Sequence, residues 1–152
     1  MDVRYLLTKK ETASHFDIGP GQLLTDAVKL MMQHRIGSLV VMEEDQLVGI
    51  VSERDVMRAV DDYLDRFSDV QVKDVMTSDP VTCTAEMTVD EAMDTLLHNP
   101  TGNRIRHLPV LSDGQLVGVI SIGDIIQALL TETRFENQLL KHYIKNWPEE
   151  NA

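Results

Sequence analysis

The sequence has little of what disulfides, metal clusters and nucleic-acid surfaces require. Its 152 residues include a single cysteine, Cys83, so no internal disulfide can form. Lys and Arg number 14 against 25 Asp and Glu, which gives a net charge of −11. A chain this acidic lacks the clustered cations that displace counterions from a nucleic acid polymer. An anionic small molecule would need a locally basic pocket.

Long hydrophobic runs are also missing. The apolar runs, such as residues 47–51 and 117–122, are far too short to cross a bilayer. Residues 1–17 lack the apolar core of a signal peptide. We therefore expect a cytoplasmic protein with no membrane anchor. Hydrophobic residues make up 43% and charged residues 26%, the balance of an ordinary globular protein.

The chain contains an internal duplication. Residues 36–60 align with residues 105–129 at an offset of 69 and agree at ten of 25 positions. Upstream, residues 25–27 align with residues 90–92 at an offset of 65, so the second copy carries four extra residues within 98–103. Self-similarity at a fixed period is the signature of a repeated structural unit.

Each copy predicts the order β-α-β-β-α. An extended piece precedes an amphipathic helix, which Thr88 and Glu91 cap in the second copy. Two apolar strands then flank a tight polar turn, as in a hairpin, and a second helix closes the copy. The predicted elements are residues 15–18, 24–33, 38–42, 47–51 and 53–62 in the first copy, and residues 80–84, 89–97, 107–111, 116–120 and 122–130 in the second. Residues 63–73 are polar and predicted as the connector.

The predicted fold is therefore mixed α/β (α+β). Neither copy is long enough to bury a good core alone, so we expect the two to pack together with pseudo-two-fold symmetry. The expected boundaries are 9–65 for the first repeat, 70–131 for the second and 132–147 for an amphipathic C-terminal helix that Pro148 ends. The apolar stripe of that helix either packs onto its own domain or forms a dimer contact; its members are Phe135, Leu139, Leu140, Tyr143, Ile144 and Trp147.

The motif Gly-aliphatic-aliphatic-Ser-x-x-Asp ends the hairpin of each copy, at residues 49–55 and 118–124. Glycine lets a flat ring or another backbone approach the strand. The serine stands where the strand becomes a helix, whose N-terminus favours phosphate. The carboxylate of the aspartate can accept hydrogen bonds from the two adjacent hydroxyls of a ribose. Alternatively, Ser-x-x-Asp only caps the helix, in which case no ligand is implied.

This order of elements, the doubled motif and the sequence Asp74-Val75-Met76-Thr77 resemble paired CBS (cystathionine-β-synthase-type) repeats, often called Bateman modules. The resemblance covers about residues 9–131 and is strongest to small bacterial or archaeal proteins that consist of the pair alone. The stretches that carry it are Ser52-Glu53-Arg54-Asp55, Arg106-His107-Leu108-Pro109-Val110 and Ser121-Ile122-Gly123-Asp124.

The resemblance implies two ligand pockets, each built from the strand before the first helix of one copy and the Ser-x-x-Asp motif of the other. One pocket would join Thr82 to the first motif. The other would join Asp17 and Ile18 to the second motif and to Arg106 and His107, although Asp17 departs from the small hydroxyl residue that is usual there. The residues expected to contact a ligand are Ile18, Gly49, Ile50, Val51, Ser52, Arg54, Asp55, Thr82, Arg106, His107, Pro109, Gly118, Val119, Ile120, Ser121 and Asp124.

These features predict a homodimeric sensor that binds AMP, ADP, ATP or NAD, acts on a regulated protein partner and requires no other cofactor. We expect no enzymatic activity, because no paired carboxylates, nucleophile elbow or Walker loop is present. Cys83 is expected to be a buried hydrophobe, and the histidines lack metal-ligand spacing. The alternatives are a constitutive interaction scaffold, an enzyme acting on nucleotides, and a sensor of another adenosyl ligand such as S-adenosylmethionine.

Overall fold

The computed structural model describes residues 1–10, 15–102 and 105–146, and the predicted order β-α-β-β-α occurs twice within it, together with short elements that were not predicted. The elements are α1 (Val3–Thr8), β1 (Asp17–Ile18), α2 (Leu24–His34), β2 (Ser38–Glu43), β3 (Gln46–Ser52), α3 (Glu53–Tyr63), a 3-10 helix (Leu64–Asp69), α4 (Val72–Val75), β4 (Thr77–Ser78), β5 (Cys83–Thr84), α5 (Val89–Leu97), β6 (His107–Ser112), β7 (Gln115–Ser121) and α6 (Ile122–Lys145). The predicted mixed α/β fold is confirmed.

Each repeat forms one sheet, and the two sheets share a pairing pattern. The first sheet has the order β1-β2-β3-β4 and the second the order β5-β6-β7. In both, a parallel pair precedes an antiparallel hairpin. The register of the hairpins shifts at equivalent places, between Val41 and Met42 and between Val110 and Leu111. The sequence duplication is therefore also a structural duplication.

Both hairpins turn through two consecutive residues with positive φ. These are Glu44 and Asp45 at 50° and 62°, and Asp113 and Gly114 at 51° and 76°. Positive φ at both central residues is typical of a type I′ turn, whose twist matches that of the flanking strands. The polar turns predicted from the sequence thus fix the strand register in both copies.

Each repeat also has a buried apolar cluster of its own. In the first repeat, Leu24 of α2 packs with Leu39 of β2 and Val51 of β3. In the second, Leu96 of α5 and Leu108 of β6 belong to a separate cluster. We expected that neither repeat could bury a good core alone. In agreement, each core is completed by a short helix that lies next to the other repeat in the sequence.

These two short helices, α1 and α4, are exchanged between the repeats. The helix α1 precedes the first repeat but packs on the second, where the N–H of Val3 donates to the Met87 carbonyl at 2.9 Å. The helix α4 begins the second repeat but packs on the first, where the N–H of Val72 donates to the Gln22 carbonyl at 2.9 Å. The exchange interlocks the repeats at both ends.

Two further elements differ from the sequence-based expectation. The connector contains the 3-10 helix and α4, and its Val70 and Val72 are buried rather than polar and exposed. Residues 122–130 and the stretch after them form one continuous helix, α6, because neither Gly nor Pro occurs between residues 124 and 145. From Thr131 to Asn146 every residue of α6 and its cap is exposed, so this stripe does not bury itself on its own chain. Trp147 and Pro148 lie outside the described residues.

Candidate ligand-binding cleft

The Ser-x-x-Asp motifs stand at the two strand-to-helix junctions, β3 to α3 and β7 to α6. The backbone N–H of Ser121 donates to Asp124 Oδ2 at 2.8 Å, and the N–H of Asp124 donates to Ser121 Oγ at 3.1 Å. In the first motif, the N–H of Ser52 donates to Asp55 Oδ2 at 2.8 Å. Both motifs are capping boxes, and an N-cap of this kind contributes about 1 kcal/mol to stability. The capping role is therefore present in both copies.

A cavity of about 270 Å³ opens between the repeats beside the second motif. Residues from both sides line it: His107, Val119, Ser121 and Asp124 from the second repeat, and Lys10, Arg35 and the segments 15–16 and 36–38 from the chain before and within the first. The structure thus brings together three residues that the sequence predicted to share a pocket, His107, Ser121 and Asp124. We refer to this cavity as the cleft.

The other residues predicted for this pocket are not among those that line the cleft. Ile18 is 4% exposed and belongs to the core of the first repeat, and Asp17 is exposed on β1. His15 and Phe16, just before that strand, line the cleft instead. Arg106 is exposed, and its backbone carbonyl accepts a hydrogen bond from the N–H of Ile122 at 2.8 Å. Contact of Arg106 with a ligand therefore remains a prediction.

Lys10 is a cleft residue that was not predicted from the sequence. Its ammonium donates to the carbonyl of Val119 at 2.8 Å and lies 3.1 Å from Asp124 Oδ2. The side chains of this ion pair are 22% and 27% exposed, so both are mostly shielded from water. The sequence contains little indication of this role. At the offset of 69 Lys10 aligns with Asp79, so the two copies do not share a residue at this position.

The cleft contains both signs of charge around a partly buried histidine. Burial lowers the pKa of His107 below its ordinary value of 6.5, and the neighbouring Lys10 lowers it further. The carboxylates of Glu53 and Asp124 oppose that shift. Gly37 allows the Glu53 carboxylate and the His107 ring to lie close to the backbone at residue 37. A Cβ at this position would overlap the Glu53 carboxylate and lie 3.4 Å from His107 Cε1. At this position the second copy has Arg106, so the two junctions are not equivalent.

A comparison with known protein families identifies the repeats. The model of the CBS domain matches residues 18–62 and 72–131 of the chain. The chain belongs to the CBS-domain family. A CBS domain-containing protein of Arabidopsis thaliana, the mitochondrial CBSX3, is 41% identical over 125 residues. That alignment covers 79% of this chain but only 59% of CBSX3, so the chain spans part of that relative's length.

Solved structures of CBS-domain proteins have the same fold. The CBS-domain containing protein ATU1752 from Agrobacterium tumefaciens is 32% identical, with a TM-score of 0.76, and the match covers 84% of this chain and 98% of that one. CBSX2, solved in complex with AMP, is 26% identical with a TM-score of 0.66, and the match covers 79% of this chain and 90% of that one. The AMP belongs to CBSX2, and its relevance to this chain is considered below.

The first motif of this CBS pair is more enclosed than the second. Asp55 is only 8% exposed, and its Oδ2 also accepts a hydrogen bond from the Ser52 hydroxyl at 3.2 Å. Arg54 is exposed on α3, and Thr82 is half-buried just before β5. Within the described residues, no hydrogen bond joins Thr82 to Ser52 or Asp55. Their predicted common pocket therefore remains a prediction.

The predicted strand residues of the CBS repeats divide by face. Val51 and Ile120 are fully buried and pack into the two cores, so a ligand could reach them only through the backbone. Val119, which alternates with Ile120, lines the cleft. Ile50 is half-buried on β3, whereas Pro109 and Gly118 are buried on β6 and β7.

Gly49 of the first CBS repeat has a structural role in β3. A Cβ at this position would lie 2.7 Å from Met76 Sδ and 2.9 Å from the Thr77 carbonyl oxygen. The sequence left open whether a ligand ring or another backbone approaches the strand at this glycine. In the structure the backbone of β4 does so.

Cys83 lies in the core of the second CBS repeat, with 2% of its surface exposed. Burial raises the pKa of its thiol to about 12, so it is not a reactive thiolate. Within the described parts of the chain, no three or more His, Cys, Asp and Glu side chains are grouped so as to hold a metal ion. Those same parts contain no helix with the length and apolar character needed to cross a membrane.

Proposed function

We propose that this CBS pair is a regulatory module that binds an adenine nucleotide (AMP, ADP, ATP or NAD) in the cleft and has no catalytic activity of its own. The observation that carries the proposal is the meeting of Asp124, the N-terminus of α6 and the cations Lys10 and Arg35 around one cavity. A carboxylate accepts hydrogen bonds from ribose hydroxyls, whereas a helix N-terminus and cations favour phosphate. The AMP complex of CBSX2 supports this ligand class.

The charge distribution supports an anionic ligand at this place. The chain as a whole carries a net charge of −11, so most of its surface repels nucleotides. The lining of the cleft differs from that average, because it contains two cations, Lys10 and Arg35, against one carboxylate, Asp124. Its volume of about 270 Å³ is close to the lower end of ligand pockets, roughly 300 Å³. A nucleotide would therefore bind with some rearrangement of the lining.

Isothermal titration calorimetry with AMP, ADP, ATP, NAD and S-adenosylmethionine tests the proposal, on protein freed of carried-over ligand. Asp124→Asn should weaken nucleotide binding by about tenfold to a hundredfold, because hydrogen bonds to a charged group contribute about 1.5–3 kcal/mol. Asp55→Asn is the matched control, since it changes the same residue in the same capping box of the other repeat.

Each outcome of the titration has a distinct meaning. Loss of binding in Asp124→Asn alone assigns the ligand to the cleft, and loss in Asp55→Asn alone moves it to the first motif. Binding of S-adenosylmethionine but not of the nucleotides would make the module a sensor of that ligand. No binding by folded wild-type protein would refute the proposal and leave the constitutive scaffold, whose motifs only cap helices.

We also propose that the module is a homodimer. Large apolar side chains are exposed on the helices of the first repeat, with Met32 75%, Met57 73% and Leu64 69% exposed. The stripe on α6 adds Phe135 and Ile144 at 61% and 64%. Large exposed apolar side chains on these helices favour an interaction site. Light scattering should show a dimer that Met57→Glu weakens and that Thr133→Glu, at an exposed polar position, leaves intact. A monomeric wild type would contradict this.

A further inference from the structure

Lys10 occupies the polar groups of the cleft that a nucleoside would use. Its ammonium is bound to the Val119 carbonyl and paired with Asp124 Oδ2, at 2.8 and 3.1 Å. Ribose hydroxyls and an adenine amino group are also hydrogen-bond donors, and they would seek the same carboxylate and the same strand carbonyls. A ligand therefore competes with a side chain of the protein itself.

Displacement of Lys10 has a different cost for different ligands. The ion pair is mostly shielded from water. If a ligand takes Asp124 away from Lys10, the shielded ammonium is left without a counter-charge, which is unfavourable. A ligand with a phosphate supplies that partner within the cleft. A neutral nucleoside supplies none, and a ligand with its own positive charge adds repulsion. The Lys10–Asp124 pair thus distinguishes ligands by charge rather than by shape.

We propose that Lys10 is a selectivity residue: it holds the cleft closed to uncharged and cationic adenosyl compounds and exchanges Asp124 for phosphate when a nucleotide binds. The inference rests on the proposed function, because it assumes that an adenosyl ligand enters the cleft. It extends that function by naming the residue that separates nucleotides from adenosine and from S-adenosylmethionine.

The test compares AMP with adenosine by calorimetry on the wild-type protein and on Lys10→Met. In the wild type AMP should bind more tightly than adenosine. In Lys10→Met adenosine should bind several-fold more tightly than before and AMP several-fold more weakly. The dissociation constant of adenosine divided by that of AMP should therefore fall at least tenfold. Lys10→Arg, which keeps the charge, should retain most of the preference for AMP.

Lys9→Met is the matched control. It removes the same charge one residue away, and Lys9 is exposed with its ammonium 5.1 Å from the centre of the Tyr5 ring, outside the cleft lining. It should leave both affinities unchanged. If the ratio of the adenosine to the AMP dissociation constant is the same in folded Lys10→Met as in the wild type, the inference is wrong and the proposed function remains intact. Failure of wild-type protein to bind AMP, ADP, ATP or NAD overturns the proposed function itself.

Discussion

Replacement of Gly49 by alanine tests how closely β4 approaches β3. The added Cβ would lie 2.7 Å from Met76 Sδ and 2.9 Å from the Thr77 carbonyl oxygen. The thioether of Met76 can rotate away, but the Thr77 carbonyl belongs to the backbone of β4, which pairs with β3 at this position. The alanine can be accommodated only if the two strands separate.

The cost follows from this overlap. Gly49 does not have a positive φ, so alanine is not disfavoured by the backbone conformation. Overpacking of a well-packed site costs about 1–3 kcal/mol. In a chain of this size each kcal/mol lowers the melting temperature by about 2–4 °C. We therefore expect Gly49→Ala to melt roughly 2–12 °C below the wild type in thermal unfolding followed by circular dichroism.

The same chain offers a control. Gly21 also lacks a positive φ, and a Cβ there would meet no atom within 4 Å. Gly21→Ala should be neutral or slightly stabilising, because alanine reduces the entropy of the unfolded chain by up to about 1 kcal/mol. If Gly49→Ala is as stable as Gly21→Ala, β4 does not lie where the structure places it, and the glycine would be free to serve a ligand instead.

Three further predictions concern burial and charge. Since burial lowers the pKa of His107, the unfolded chain binds more protons than the folded chain between that pKa and 6.5. The free energy of unfolding should therefore rise with pH across this window and not depend on His107 outside it, and urea unfolding of His107→Gln should show a flatter pH dependence within the window. Leu6→Ala, at a 4% exposed position on α1, should cost about 2–5 kcal/mol in the same assay, whereas Tyr5→Ala, at a 47% exposed position, should cost much less. Cys83 should react with a thiol reagent only after unfolding, because it is buried and its pKa is raised to about 12; rapid reaction of the native protein would contradict this.

The sequence predicted most of the repeated fold because each copy carries its own local signals. Alternating apolar strands, polar turns and the capping box of Thr88 and Glu91 depend on residues close together in the chain, and the structure confirms that box at 3.0 and 3.1 Å. The helix α1 was missed although Val3–Thr8 aligns with residues 72–77 at the same offset of 69. Extending the duplication towards the start of the sequence would have found it.

The site was less predictable because its contacts are long-range. The hydrogen bond from Lys10 to Val119 joins residues 109 positions apart, and no periodicity encodes such a pair. The local Ser-x-x-Asp pattern correctly indicated the capping boxes, but it could not show which motif faces a cavity. That difference depends on how the repeats pack, which leaves Asp55 8% exposed while Asp124 lines the cleft.

The exchange of short helices has a consequence for synthesis on the ribosome. The helix α1 emerges before the repeat on which it packs, since Met87, the acceptor for the Val3 N–H, is made 84 residues later. At about 5–20 residues per second, Val3 waits roughly 4–17 s for that partner. The helix α4, by contrast, emerges directly after the repeat that it completes. The first repeat can therefore complete its core during translation. The core of the second repeat is complete only when α1, which is synthesised earlier, packs on it.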